Sequence, residues 1–160
     1  MEQITYETRI KVYQPTEIPA EFIPLIDEAK LQTQKSYALY SGFKVGAAIL
    51  LANGIVVGGN NQENSAYPSG LCAERTAMFY ANSQYPDTAV LTLAIAAFTN
   101  GEFTSEPIAP CGACRQVLLE TENRYDKPIK IILYGTDKIY VLENVKQLLP
   151  VSFGKDSLNK

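Results

Sequence analysis

The 160-residue chain has no histidine and no tryptophan, only three cysteines and only two methionines. Without histidine there is no Ser-His-Asp triad, no Cys-His dyad and no imidazole metal ligand, so many hydrolytic mechanisms are excluded at once. Basic residues are not in excess: 14 Lys and Arg stand against 17 Asp and Glu, a net charge of -3. A nucleic-acid binder shows a basic footprint, and this chain lacks one. The longest apolar run, Ala89 to Phe98, is interrupted by Thr92 and reaches about half a membrane span. Met1-Glu2-Gln3-Ile4 offers neither the basic nor the apolar stretch of a signal peptide. An odd number of cysteines without a secretory signal suggests ligands or nucleophiles rather than a disulfide framework. We therefore expect a cytoplasmic protein with no nucleic-acid and no membrane partner.

What is present fits one domain over residues 1–160, with no repeat, low-complexity segment or linker. Ile4, Tyr6, Thr8, Ile10 and Val12 alternate with polar residues, predicting a half-buried extension strand within residues 1–15. Phe22, Leu25, Ile26 and Ala29 recur at helical spacing to about Ser36. Lys44 to Ala52 and Ile55 to Asn60 flank Asn53-Gly54, a strong hairpin signal because both central positions of such a turn need positive φ. Helices are expected from Cys72 to about Asn82 and from Cys111 to about Thr121. Strands are expected at Thr88 to Ala97 and Ile129 to Tyr134, with an edge strand at Lys138 to Leu142 and a short helix near Val145 to Leu149. Residues 150–160 read as a tail. Alternating strands and helices imply right-handed crossovers. Ligands on such sheets sit at the carboxyl ends of the strands. The loop after Asn60, the two helix starts and Phe43 should all meet there.

The chemistry concentrates in two short motifs. In Pro110-Cys111-Gly112-Ala113-Cys114, two sulfurs lie one helical turn apart, close enough to share a metal; redox pairs and packed core cysteines use the same spacing. Cys72, which opens the other helix in Leu71-Cys72-Ala73-Glu74-Arg75, adds a third sulfur at the same edge. Three thiolates make a tetrahedral zinc site with one position open to water, the catalytic arrangement; the chain has no fourth cysteine and no histidine to close it. Glu74 can take a proton from water at that position and return it to a substrate nitrogen. The bland reading of a first-turn Glu is a helix-dipole partner. Three thiolates and Zn²⁺ sum to -1, so the positive helix ends and Arg75, as a donor to a ligand sulfur, become relevant. An exposed surface arginine is the alternative for Arg75.

Cys-Ala-Glu followed by Pro-Cys-x-x-Cys resembles the zinc nucleoside and nucleobase deaminases, and Cys72 in the first ligand position is similar to the small homotetrameric cytidine deaminases. Tyr40-Ser41-Gly42-Phe43-Lys44-Val45-Gly46-Ala47-Ala48 resembles a family segment whose Phe packs on the pyrimidine. Asn61-Gln62-Glu63-Asn64 resembles the loop whose Asn and Glu hold ribose hydroxyls. Leu148-Leu149-Pro150-Val151-Ser152-Phe153-Gly154 looks like the family's tail, whose Phe reaches a neighbouring subunit's site, and Tyr67 matches a tyrosine that also approaches from a neighbour. The chain departs from the family in its longer start before Pro15, in Lys155 where proline is common, and in a rearranged Ser65–Gly70 loop.

The resemblance implies an α/β three-layer fold, a mixed sheet of about five strands with helices on both faces. It implies one Zn²⁺ per chain on Cys72, Cys111 and Cys114, Glu74 as the catalytic acid–base, and substrate contacts at Phe43, Asn61, Glu63, Ala73, Tyr67 and Phe153. It also implies a homotetramer that deaminates cytidine or deoxycytidine in pyrimidine salvage. The rival readings are a deaminase of another aminopyrimidine nucleoside or related antibiotic, and a structural zinc module used for protein interaction.

Overall fold

The computed structural model describes residues 1–158; Asn159 and Lys160, the end of the expected tail, lie outside the described residues. The apolar run that is too short for a membrane becomes the central strand. Among the described residues one sheet contains β1 (Lys11–Tyr13), β2 (Lys44–Leu51), β3 (Val56–Asn60), β4 (Val90–Thr99), β5 (Glu102–Phe103), β6 (Lys130–Tyr134) and β7 (Ile139–Leu142). The order is β1-β7-β6-β4-β2-β3, with β5 folded back on β4. β4 and β6 run parallel, while β2 is antiparallel to both β3 and β4.

Seven strands replace the expected five or so. β5 was not foreseen; Asn100-Gly101, with φ 53° and 86°, turns the chain straight back after β4. Both central residues there have the positive φ of a primed hairpin turn. At Asn53-Gly54 only Gly54 does (φ 84°), and its N–H closes a turn onto Leu51 O at 2.9 Å. The expected strand from Ile4 to Val12 shrinks to Lys11–Tyr13. The ladder with β7 ends at Lys11↔Val141, and β7 has only Leu142 left beyond that pair, too little to carry the strand back to Ile4. Ile4, Tyr6 and Ile10 are consequently exposed rather than half-buried. β7 is covered by β1 and is not an edge.

Helices lie on both faces. α1 (Ile23–Gln32) buries Leu25, Ile26 and Ala29 against Ala48, Ala94, Ile132 and Val141. Its last turn tightens into a 3₁₀ segment at Thr33–Lys35. α2 (Ala73–Gln84) and α3 (Gly112–Tyr125) cover the opposite face with Ala77, Met78, Leu118 and Leu119 packed on Ile49, Leu93, Ile95 and Ile131. Gly59 sets how closely α2 approaches β3: a Cβ there would lie 2.5 Å from Ala77 N and 2.8 Å from Ala73 O. α2 connects β3 to β4, and α3 connects β4 to β6. The starts of both helices therefore lie at one edge of the sheet, beside the beginning of β2.

A buried carboxyl ties down the far end of α3. Glu122 is 5% exposed, and its Oε2 accepts from Ile129 N at 2.9 Å and Val145 N at 2.8 Å. Glu122→Ala removes the acceptor for two buried donors. We expect it to lower unfolding free energy by about 2–5 kcal/mol, read by urea titration, with Glu122→Gln costing less. A loss in Glu122→Ala no larger than about 0.5 kcal/mol, the size of an ordinary surface change, would contradict this role.

Candidate metal centre and active site

Cys72 and Cys111 occupy equivalent positions. Each is the N-cap residue of its helix, in extended backbone (φ -71°, ψ 156° and φ -65°, ψ 167°), and neither caps the helix with its own side chain. The positive ends of α2 and α3 thus face the sulfurs. Cys114, one turn into α3, is fully buried. Cys72 Sγ lies 3.7 Å from Cys111 Sγ, Cys111 Sγ lies 3.5 Å from Cys114 Sγ, and all three sulfurs fall within 4.8 Å of one another. A tetrahedral zinc with Zn–S near 2.3 Å places its sulfurs about 3.8 Å apart, so the three thiols fit the ion. All three cysteines are free thiols. Among the described residues the donor set stops at three.

The charges around the sulfurs are arranged unevenly. The neighbouring Cys114 thiol, and then the Arg75 guanidinium, stabilise the Cys72 thiolate and hold it down to about 5. Cys114 moves the other way, because it shares a proton with Cys72 and is buried. Arg75 Nη2 approaches Cys72 Sγ at 3.8 Å, which places Arg75 against the ligand set rather than on open surface. Glu74 is 5% exposed, and burial, reinforced by the charge on Cys72, pushes its carboxyl above the usual range.

A cavity of about 350 Å³ opens over these groups. Cys72, Glu74 and Cys111 form one side, and Phe43, Ile95, Ile108 and Ala109 supply apolar walls. Ser41, Asn61, Glu63 and Cys72 also border an adjoining cavity of about 490 Å³ that extends to Tyr40, Tyr67 and Arg75. Ser41, Ile95, Ile108 and Ala109 were not foreseen. Ser41 falls within the Tyr-Ser-Gly-Phe segment and Ile108-Ala109 directly precede Pro110-Cys111, so proximity to the motifs was the available signal.

Asn61 and Glu63 lie where expected, but their side chains already work within the chain. Asn61 Oδ1 accepts from Val45 N at 2.8 Å and from Ser36 Oγ, and its Nδ2 donates to Phe43 O at 2.9 Å. Glu63 Oε2 accepts from Tyr40 N at 2.8 Å and Ser41 N at 3.3 Å, and Ser41 Oγ donates to Oε1. The Ser41 hydroxyl, then the Tyr40 N–H, hold the Glu63 carboxyl below the usual range. Together these bonds brace the Tyr40–Phe43 turn against the Asn61 loop. Three expected contacts are not brought into the inner cavity by this chain alone. Ala73 is buried in the core. Tyr67 is 79% exposed at the outer rim, edge-on to Tyr40 with ring centroids 6.4 Å apart. Phe153 is 59% exposed in the tail.

Known proteins resemble this chain in sequence and fold. The model of the cytidine and deoxycytidylate deaminase zinc-binding region matches residues 23–126. A cytidine deaminase of Sporosarcina psychrophila is 41% identical over 137 residues, covering 84% of this chain and 93% of the relative. One from Halalkalibacterium halodurans is 37% identical over 135 residues, covering 84% and 96%. The crystal structure of cytidine deaminase from Burkholderia pseudomallei matches with a TM-score of 0.69 at 38% identity, over 82% of this chain and 98% of that one. The Mycobacterium tuberculosis enzyme matches with a TM-score of 0.66 at 30% identity, over 85% and 99%. Sequence, fold and the three-cysteine centre agree, and the chain belongs to the family of the cytidine and deoxycytidylate deaminase zinc-binding region.

Proposed function

We propose that this chain hydrolyses the exocyclic C4–N bond of cytidine or deoxycytidine, so that water and the aminopyrimidine become the uracil nucleoside and ammonia. The observation that carries this reading is the conjunction of three sulfurs at tetrahedral spacing with a buried Glu74 facing the same 350 Å³ cavity. Cys72, Cys111 and Cys114 would hold the zinc, which when bound makes water a competent nucleophile at neutral pH. A closed, purely structural site would need a fourth ligand, and none joins the three sulfurs among the described residues.

Glu74 moves the protons. Its carboxylate takes one from the attacking water and places it on ring N3, which drains electron density from C4. It then takes the remaining proton from the hydroxyl added at C4 and passes it to the amino nitrogen, so that the C4–N bond breaks, C4=O forms and ammonia leaves. Burial favours this shuttle, because it raises the carboxyl's affinity for the proton it must accept. Phe43, Ile95, Ile108 and Ala109 give the flat ring a dry wall. Asn61 and Glu63 are the polar groups at the opening towards the outer cavity, suited to a sugar. A sugar hydroxyl that reaches Glu63 competes with Ser41 and Tyr40 for its oxygens, so binding and the position of the Tyr40–Phe43 turn are coupled.

Tyr67 and Phe153 are exposed in the single chain, and we assign them to the sites of neighbouring copies within a homotetramer. A cytoplasmic setting, with a role in pyrimidine salvage, suits a site built from three reduced thiols.

Glu74→Gln is expected to keep one zinc per chain and lose at least 10²–10⁴-fold in kcat, measured by loss of cytidine absorbance; near-normal turnover would overturn the acid–base assignment. Asn61→Ala and Glu63→Ala should each raise KM by about tenfold or more, equivalent to about 1.4 kcal/mol, with zinc retained. Unchanged KM would remove them from substrate binding. Cys114 must give up its raised proton when zinc binds, so protons compete with the metal. Zinc affinity should weaken as pH falls from 8 to 6, about tenfold per pH unit for each proton displaced. An affinity independent of pH would contradict thiolate ligation.

A further inference from the structure

Residues 1–10 precede the family match, which begins at residue 23, and they have no part in the chemistry above. They nevertheless reach the root of the C-terminal tail, held there by Thr8 and, just beyond the segment, by Lys11. Lys11 opens β1 against Val141, with its Nζ 2.6 Å from Glu143 Oε1. Thr8 Oγ1 donates to Gln147 O at 3.0 Å, joining positions 139 residues apart. Beyond Thr8, Tyr6 and Glu7 border a groove of about 410 Å³ that Leu149, Pro150 and Ser152 also line, and Glu7 itself pairs with Arg9 at 3.1 Å.

The other side of the tail is held by α3. Arg115 Nη1 donates to Leu148 O at 2.9 Å, and Arg115 Nε donates at 2.8 Å to the carbonyl of Pro110, the residue before Cys111. Gln116 Nε2 donates to Phe153 O at 2.9 Å. Gln147 and Leu148 are therefore gripped from two directions, by the N-terminal arm and by an arginine that also grips the metal loop. The Phe153 ring is 59% exposed, so its direction is set by backbone anchoring rather than by its own packing.

We infer that the N-terminal arm is a strap, in which Thr8 is the positioning residue that holds Gln147 and so fixes the direction in which the tail presents Phe153. It touches no reacting group. A tail that loses the strap must be ordered when substrate binds, and that ordering opposes binding rather than chemistry. The effect on substrate rests on the assignment of Phe153 to a neighbouring copy's site; the anchoring of the tail does not.

The chain has no tryptophan, so Phe153→Trp places a lone indole on the tail whose fluorescence anisotropy reports its freedom. The comparison is between the full chain and a deletion of residues 2–9, which keeps β1 and the Lys11–Glu143 pair. Zinc content and Tm establish that both are folded. The deletion should lower the indole anisotropy. On the native Phe153 background it should raise KM for cytidine roughly 3–10-fold with kcat within about twofold, and Thr8→Val should shift KM the same way by less. Combined with Phe153→Ala, the deletion should add no further KM increase, because both act through one element. An equally immobile indole in both proteins overturns the strap, and so does a KM increase that adds fully to that of Phe153→Ala. If Phe153→Ala itself leaves KM unchanged, the reading of Phe153 as a substrate contact fails, and the anisotropy still decides the strap.

Discussion

Two helices begin side by side at one edge of the sheet, and the metal centre depends on that adjacency. Cys72 and Cys111 are 39 positions apart, yet their sulfurs meet at 3.7 Å because each caps a helix that follows a strand of the same sheet. The crossover from β4 through α3 to β6 places α3 beside α2, and Gly59 allows α2 to settle directly on β3. Cys114 follows from helical spacing alone.

The absence of histidine gives that geometry an electrostatic consequence. Three thiolates around Zn²⁺ leave a net negative charge, which opposes ionisation of water and attraction of an electron-rich ring. Two helix ends contribute roughly 0.3–1 kcal/mol each, and more where buried. Arg75 adds a full positive charge 3.8 Å from Cys72 Sγ. The arginine and the two helix ends, each equivalent to about half a positive charge, therefore act in the same direction. In the proposed reaction the arginine acts on the sulfur rather than on substrate, and Glu74 would handle the protons. A chain with imidazole ligands would not need this compensation.

Much of this was legible in the residues themselves. Helix α1 announces itself by spacing, and the Cys-Ala-Glu and Pro-Cys-x-x-Cys motifs point, before any coordinates, to three cysteines whose sulfurs fall within 4.8 Å of one another and to a glutamate buried beside them. What depended on distant partners was not legible. Ile4 to Val12 alternates as a strand should, but alternation does not supply a neighbour, and β7 is too short to pair with it. Asn53-Gly54 and Asn100-Gly101 carry the same dipeptide, and only the second forms a turn with positive φ at both residues. Ile108 and Ala109 enter the cavity because Gly135, whose Cβ would lie 2.4 Å from Ser105 O, lets the preceding loop lie close to the end of β6. Asn61 and Glu63 were legible as site residues, but their existing bonds to Phe43, Val45, Tyr40 and Ser41 were not.

The central claim is that this three-cysteine centre, with its buried carboxyl, hydrolyses a cytosine nucleoside. It is tested most directly by incubating protein carrying one zinc per chain with cytidine and measuring ammonia and uridine together. The account predicts that both appear in equal amounts over many turnovers. Fully zinc-loaded, folded protein that leaves cytidine and deoxycytidine unchanged would contradict it.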